Sequence, residues 1–198
     1  QLTLIKEKTY PPMAEAPRIR ISPMDRFSVG APEPEELKLF VQLLHENTPA
    51  HLLPHWIGLP GKVVDMVAGG EYQAALARGD RGQIGGGILW RGLGSKLVEC
   101  FGPYLFNQGG ENSMARELME ACIGAIAKTQ AVGLVNQFPT EDLPLDHFET
   151  LGALEFYGQN GSPMVRTTYF RQMNEDPGTS AWAHPELEGF LREQYKWL

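Results

Sequence analysis

The chain has 198 residues, 42% of them hydrophobic and 21% charged, with a formal net charge of −7, which suits a single globular core. Lys and Arg are dispersed, so no basic patch exists to neutralise phosphates, and nucleic acid is excluded as a partner class. The longest apolar runs, such as Ile84 to Trp90, fall well short of the ~20 residues a bilayer helix needs, so no membrane partner is expected.

Residues 1–17 carry Pro11, Pro12 and Pro17 and read as a linker or N-terminal extension with at most a short strand, Leu2 to Ile5. A single domain is expected over 18–198. Arg18 to Ser22 alternates charged and apolar residues as a half-buried strand does, and a Pro/Gly-rich loop then runs to Pro34. Leu37, Phe40, Val41 and Leu44 repeat at helical spacing behind Glu35 and Glu36, predicting a helix over Glu35 to Glu46 with acids at its positive end. A shorter helix is expected from Lys62 to Ala68, stopped by Gly69-Gly70.

The middle of the chain reads as sheet. Tyr72 to Ala77 and Gln83 to Trp90 flank Arg78-Gly79-Asp80-Arg81-Gly82, a hairpin pattern. Lys96 to Asn107 is a third long apolar run, in which Gly102-Pro103 predicts a bulge or splay because proline cannot donate to a ladder. In Ser113 to Thr129, Met114, Leu118, Cys122 and Ala125 make one apolar stripe that Met119, Ile123 and Ile126 widen, which predicts a broadly buried helix. A strand at Gly133 to Gln137, a helix from about Leu143 to Leu151, and strands at Leu154 to Tyr157 and Val165 to Arg171 follow. A last helix is expected over 184–198. Hairpins first and helix-linked strands later predict an α/β (α+β) fold, a mixed central sheet with helices on both faces.

Cys100 and Cys122 are the only cysteines. Both sit in apolar runs, where a free thiol acts as a small hydrophobe, and they form no disulfide framework or zinc spacing. A cytoplasmic setting is expected. Gln1 stands where an initiating Met would, so the expectation is a processed start or, preferred here, a segment of a longer protein, and Gln1 to Lys8 does not read as a signal peptide. His51 and His55 have helical metal-ligand spacing, but Pro54 interrupts it and no third ligand is evident, so no metal is expected. Gly85-Gly86-Gly87 lacks the lysine of a phosphate loop and reads as close backbone packing or a bulge.

Two segments carry a family resemblance. The first is Gly110-Glu111-Asn112-Ser113-Met114-Ala115-Arg116-Glu117-Leu118. The second is Asp146-His147-Phe148-Glu149-Thr150-Leu151-Gly152-Ala153, where Gly152 reads as a helix stop. Together, and in this order, they resemble the GNAT superfamily of acyl-CoA N-acyltransferases over roughly Arg18 to Arg171. Ala115, Leu118 and Leu151-Gly152 fit the family's motifs. Gly110 replaces the usual arginine or glutamine, Ser113 replaces a glycine, and Phe148 stands where many members carry a proton-donating tyrosine.

The resemblance implies acetyl-CoA or another acyl-CoA as cosubstrate and an amine as acceptor, the acyl group moving by direct attack. It implies pantetheine along Tyr104, Leu105, Phe106 and Asn107. The pyrophosphate would lie on Gly110, Glu111, Asn112, Ser113, Met114, Ala115 and Arg116, where helix N–H groups favour an anion. Glu111 opposes that anion, and Arg116 is the nearby cation. Glu99 is the candidate general base, although an alternating strand equally fits a solvent-facing Glu99. Tyr104 and Tyr157 are the candidate acids, Tyr157 by reaching the space of Phe148. The alternative is a catalytically inactive domain of the same fold that senses acyl-CoA or mediates protein contacts within a longer regulatory protein. A third reading is a homodimer built on Trp182, Tyr195 and Trp197. The acidic balance suits a cationic acceptor.

Overall fold

The computed structural model describes residues 27–49, 53–54, 57, 60–94, 96–106, 113–137, 140–157, 163–173 and 189. The expected strands at Leu2–Ile5 and Arg18–Ser22, the helix over 184–198 apart from Gly189, His51 and His55 lie outside the described residues. The elements run β1 (Phe27–Gly30), α1 (Pro34–Asn47), α2 (Pro60–Ala68), β2 (Gln73–Gly79), β3 (Ile84–Leu93), β4 (Leu97–Leu105), α3 (Ser113–Ile126), β5 (Gly133–Asn136), a 3-10 turn (Leu145–His147), β6 (Glu149–Tyr157) and β7 (Pro163–Gln172). The strands form one seven-stranded mixed sheet ordered β1-β2-β3-β4-β5-β7-β6. Among the described residues, only β4 and β5 pair in parallel.

Period-two alternation decides which helix each strand residue meets. In β2, Ala74 and Leu76 face α1 and α2, joining Leu37, Phe40, Val41, Leu44 and Val63 in one apolar cluster. Ala75 and Ala77 face the opposite way, toward Met114, Leu118, Met119 and Cys122 of α3. Helices therefore cover both faces, as the sequence pattern required. Glu36 fixes how α1 enters the fold. It accepts the Glu33 N–H at the helix start and a two-pronged bond from Arg78 on β2, at 2.6 and 2.7 Å. Arg78 also donates to the Ala31 carbonyl, so one guanidinium ties β2 to the β1–α1 connection.

Two glycines of the Gly85-Gly86-Gly87 run sit under close neighbours. A Cβ on Gly86 would lie 2.5 Å from the Tyr104 carbonyl oxygen, and one on Gly87 would lie 2.6 Å from Phe40 Cε2. Close packing, as the sequence indicated, accounts for this run.

Two expectations are corrected. The segment Leu143 to Leu151 is not a helix: it holds only the 3-10 turn, and from Glu149 the chain is strand. Thr150-Leu151-Gly152 pairs with β7 instead of ending a helix, with an irregularity between Thr150 and Gly152. The tertiary ladder overrides the local helix-stop signal of Gly152. The stretch 23–34 is not all loop, because Phe27–Gly30 forms β1 against β2 in register Phe27↔Gly79 to Gly30↔Leu76.

Candidate active site

The centre of the sheet opens at β4. Its parallel ladder with β5 runs from Leu97↔Gly133 to Cys100↔Asn136 and stops, while β4 continues to Leu105 on its other side against β3. Opposite Gly87 to Leu89, β4 advances from Tyr104 to Phe101, one residue more than its partner, which is a bulge. Gly102, at φ +97°, supplies the backbone conformation other residues resist, and Pro103 has no N–H to give a neighbouring strand. The bulge occurs where Gly102-Pro103 predicted a bulge or splay.

At the end of the ladder and just past it, two side chains reach the bulge. The fully buried Asn136 donates through Nδ2 to the Gly102 carbonyl at 2.7 Å, and the Thr140 hydroxyl donates to the Pro103 carbonyl at 2.7 Å. Carbonyls that the ladder leaves unpaired are thus satisfied from the β5 side, as buried acceptors require. Neither residue was read from the sequence. The signal was an asparagine closing the apolar run Gly133-Leu134-Val135, a place where a buried amide needs a specific partner.

The bulge also rotates β4. Phe101 and Tyr104, three apart, both face the α1–α2 layer, and Glu99, two before Phe101, lies on that same side by alternation. Glu99 is only 3% exposed, so the solvent-facing reading of this residue is corrected. Its cross-strand neighbour in the β3–β4 register is Arg91, which bonds to Oε2 through Nε at 3.0 Å and Nη2 at 2.9 Å. Burial pushes the Glu99 carboxyl up, and the Arg91 charge and hydrogen bond pull against that without cancelling it. Arg91 in turn lies over two rings, 5.4 Å from the Tyr72 centroid and 5.9 Å from that of Phe101. Tyr72, Arg91, Glu99 and Phe101 form a polar and aromatic niche on the α1–α2 face, of which the sequence revealed only Glu99.

The remaining sequence candidates separate. Tyr104 is fully buried in the α1–α2 core, where burial pushes its hydroxyl up and keeps it protonated. Phe106 stacks at a tilt on Phe40, with centroids 5.7 Å apart, and its N–H donates to the Gly85 carbonyl. Leu105 turns to the α3 side. Asn107, Gly110, Glu111 and Asn112 lie outside the described residues. Ser113 opens α3, Met114 and Ala115 are buried beneath it, and Arg116 is exposed and paired with Asp146 at 2.9 Å. Arg116 therefore already has a carboxylate partner, from the 3-10 turn. Tyr157 ends β6, and at about 3.3 Å per strand residue the backbone there stands roughly 30 Å from Phe148. The expectation that it shares Phe148's space is corrected, since it assumed a helix where β6 runs extended. Among the described residues no group of three His, Cys, Asp or Glu side chains gathers in metal-binding range, and no helix is long and apolar enough to cross a membrane.

A mixed sheet in which a bulged fourth strand pairs in parallel with a fifth, with helices on both faces, is the fold of the GNAT acetyltransferases, and this chain has that fold. The aminoglycoside 6'-N-acetyltransferase of Enterococcus faecium superposes with a TM-score of 0.58 at 12% identity, covering 76% of this chain and 99% of that one. The phosphinothricin acetyltransferase of Sinorhizobium meliloti, a GNAT protein solved with AcCoA, gives 0.59 at 14% over 81% and 96%. An N-acetyltransferase of Staphylococcus aureus Mu50 gives 0.61 at 12% over 76% and 100%. No family model matches the sequence, and no curated protein matches it by sequence, so the relationship is carried by the fold.

Proposed function

We propose that this chain binds an acyl-CoA along the open edge of β4 and transfers the acyl group to an amine by direct attack, with Glu99 as the proton acceptor. The observation that carries this reading is the placement of Glu99: a buried carboxylate, raised above its ordinary range, on the same strand and face as the bulge. A carboxylate shifted toward neutrality is a stronger base than an exposed one. It takes one proton from the ammonium form of the acceptor. The freed lone pair attacks the thioester carbonyl, the C–S bond breaks, and the second proton shed by nitrogen goes to the departing thiolate, directly or through the Tyr104 hydroxyl. Pantetheine would follow Tyr104 to Asn107, and pyrophosphate would rest on Gly110 to Arg116, where the start of α3 offers N–H groups. Solved proteins that this chain resembles in fold are acetyltransferases, two of them holding acetyl-CoA.

A second reading, an acyl-CoA-binding domain without turnover, is favoured by one observation: the Arg91 guanidinium already occupies Oε2 of Glu99. Substituting Glu99→Gln separates the two. The transfer reading expects kcat to fall by roughly 10²-fold or more while acetyl-CoA affinity stays within about twofold. An unchanged kcat removes Glu99 from the mechanism, and acetyl-CoA binding by the unaltered chain with no turnover on any primary amine leaves the second reading.

A further inference from the structure

The niche around Glu99 has the composition of a cation-recognition site. A carboxylate supplies the charge, and the rings of Tyr72 and Phe101, 6.2 Å apart and tilted by 36°, supply aromatic surface that attracts an organic cation. The cation now in it belongs to the chain. Arg91 reaches across from β3, and one third of its side chain remains exposed against 4% for Glu99. Its long stem can carry the guanidinium out to water, whereas the carboxylate on β4 cannot follow. Both bonds from Arg91 fall on Oε2, so the guanidinium meets the carboxylate at one oxygen.

We propose that Arg91 is a displaceable internal competitor, and that the acceptor is a cationic alkylamine whose ammonium replaces the Arg91 guanidinium against Glu99 beside Tyr72 and Phe101. The inference deepens the acyl-transfer reading, on which it rests for the fate of the bound amine, by naming the acceptor class and a latch that keeps the base covered until that acceptor arrives. An internal ligand reduces apparent affinity by the fraction of time the site is free. If Arg91 fills the niche more than about nine-tenths of the time, removing its charge tightens amine binding about tenfold or more.

The test is calorimetric titration of the full chain with 1,4-diaminobutane, without acetyl-CoA, in the unaltered protein and in Arg91→Gln, Arg91→Lys and the double variant Arg91→Gln/Glu99→Gln. The expected result is a gain of about tenfold or more in Arg91→Gln, little gain in Arg91→Lys, which keeps a cation, and loss of the gain in the double variant. Equal affinity in Arg91→Gln and the unaltered chain overturns the proposal, as does a gain that survives in the double variant. Should Arg91→Gln fail to fold, the unaltered chain labelled with ¹⁵N-arginine serves. The Arg91 Nε–H resonance is expected to shift and exchange with water faster as the diamine is added, and a resonance unmoved at saturation overturns the proposal. Turnover with acetyl-CoA is read separately. A binding gain without turnover retains the niche and refutes transfer, whereas turnover without a gain refutes only the latch.

Discussion

Replacing Asn136 with alanine isolates the contact that holds the bulge where the β4–β5 ladder ends. Asn136 is completely buried, and its Nδ2 donates to the Gly102 carbonyl at 2.7 Å. Removing the amide leaves that carbonyl without its donor inside the fold, a loss of about 1–3 kcal/mol. The deleted side-chain atoms also leave a small void, adding on the order of 1 kcal/mol. The sum, roughly 2–4 kcal/mol, corresponds to about 4–16 °C in Tm for a chain of this size, with the middle of that range expected. Urea unfolding followed by far-UV circular dichroism is the assay, and the midpoint should fall while the slope stays constant. The companion Asn136→Asp keeps the shape but turns a carboxylate oxygen on the carbonyl, so it should lose at least as much stability at pH 7. A fall of under about 2 °C in Asn136→Ala would refute the claim that this bond closes the bulge.

Other consequences can be read from single contacts. The carboxyl of Glu36 is lowered from 4.5 to about 2, chiefly by its hydrogen bond from Arg78. Because the folded value lies below the unfolded one, the stabilisation is present above about pH 4.5 and is lost as pH falls toward 2. Allowing for solvent screening at this partly exposed site, about 1–2 kcal/mol is at stake. Glu36→Gln should cost that at pH 7 and flatten the acid limb of a Tm-versus-pH curve, and parallel curves for the two proteins would contradict this. Gly87→Ala would set a methyl against Leu76 and Phe40, at 2.5 and 2.6 Å before relaxation. It should destabilise the chain by about 1–3 kcal/mol, and an unchanged urea midpoint would show that α1 yields more readily than its packing indicates.

The helices were readable because their apolar stripes are long. Leu37, Phe40, Val41 and Leu44 announce α1, and Met114 to Ile126 announces α3, with no tertiary help. The β2–β3 hairpin was equally plain. What the sequence hid depends on pairing. β1 is four residues in a Pro/Gly-rich stretch and exists because β2 offers it a partner. β6 begins in a segment whose Leu151-Gly152 carries a helix-ending signal, yet β7 pairs with it along its length. The site divides in the same way. Glu99 stood out as an acid in an apolar strand, but its partner was hidden, since Arg91-Gly92-Leu93 reads as a connection. In the fold those residues extend β3, and Arg91↔Glu99, Gly92↔Val98 and Leu93↔Leu97 pair symmetrically. Folding the hairpin about residue 95 would have found the ion pair. Asn136 and Thr140 meet the bulge only through three-dimensional closure, with no local pattern to mark them.

Isothermal titration of the chain with acetyl-CoA tests the central claim most directly. The expected result is binding with a Kd on the order of micromolar, weakened when a bulky side chain is placed at Ser113. Absence of heat up to millimolar acetyl-CoA would contradict it, leaving a GNAT fold whose β4 edge has lost its cofactor.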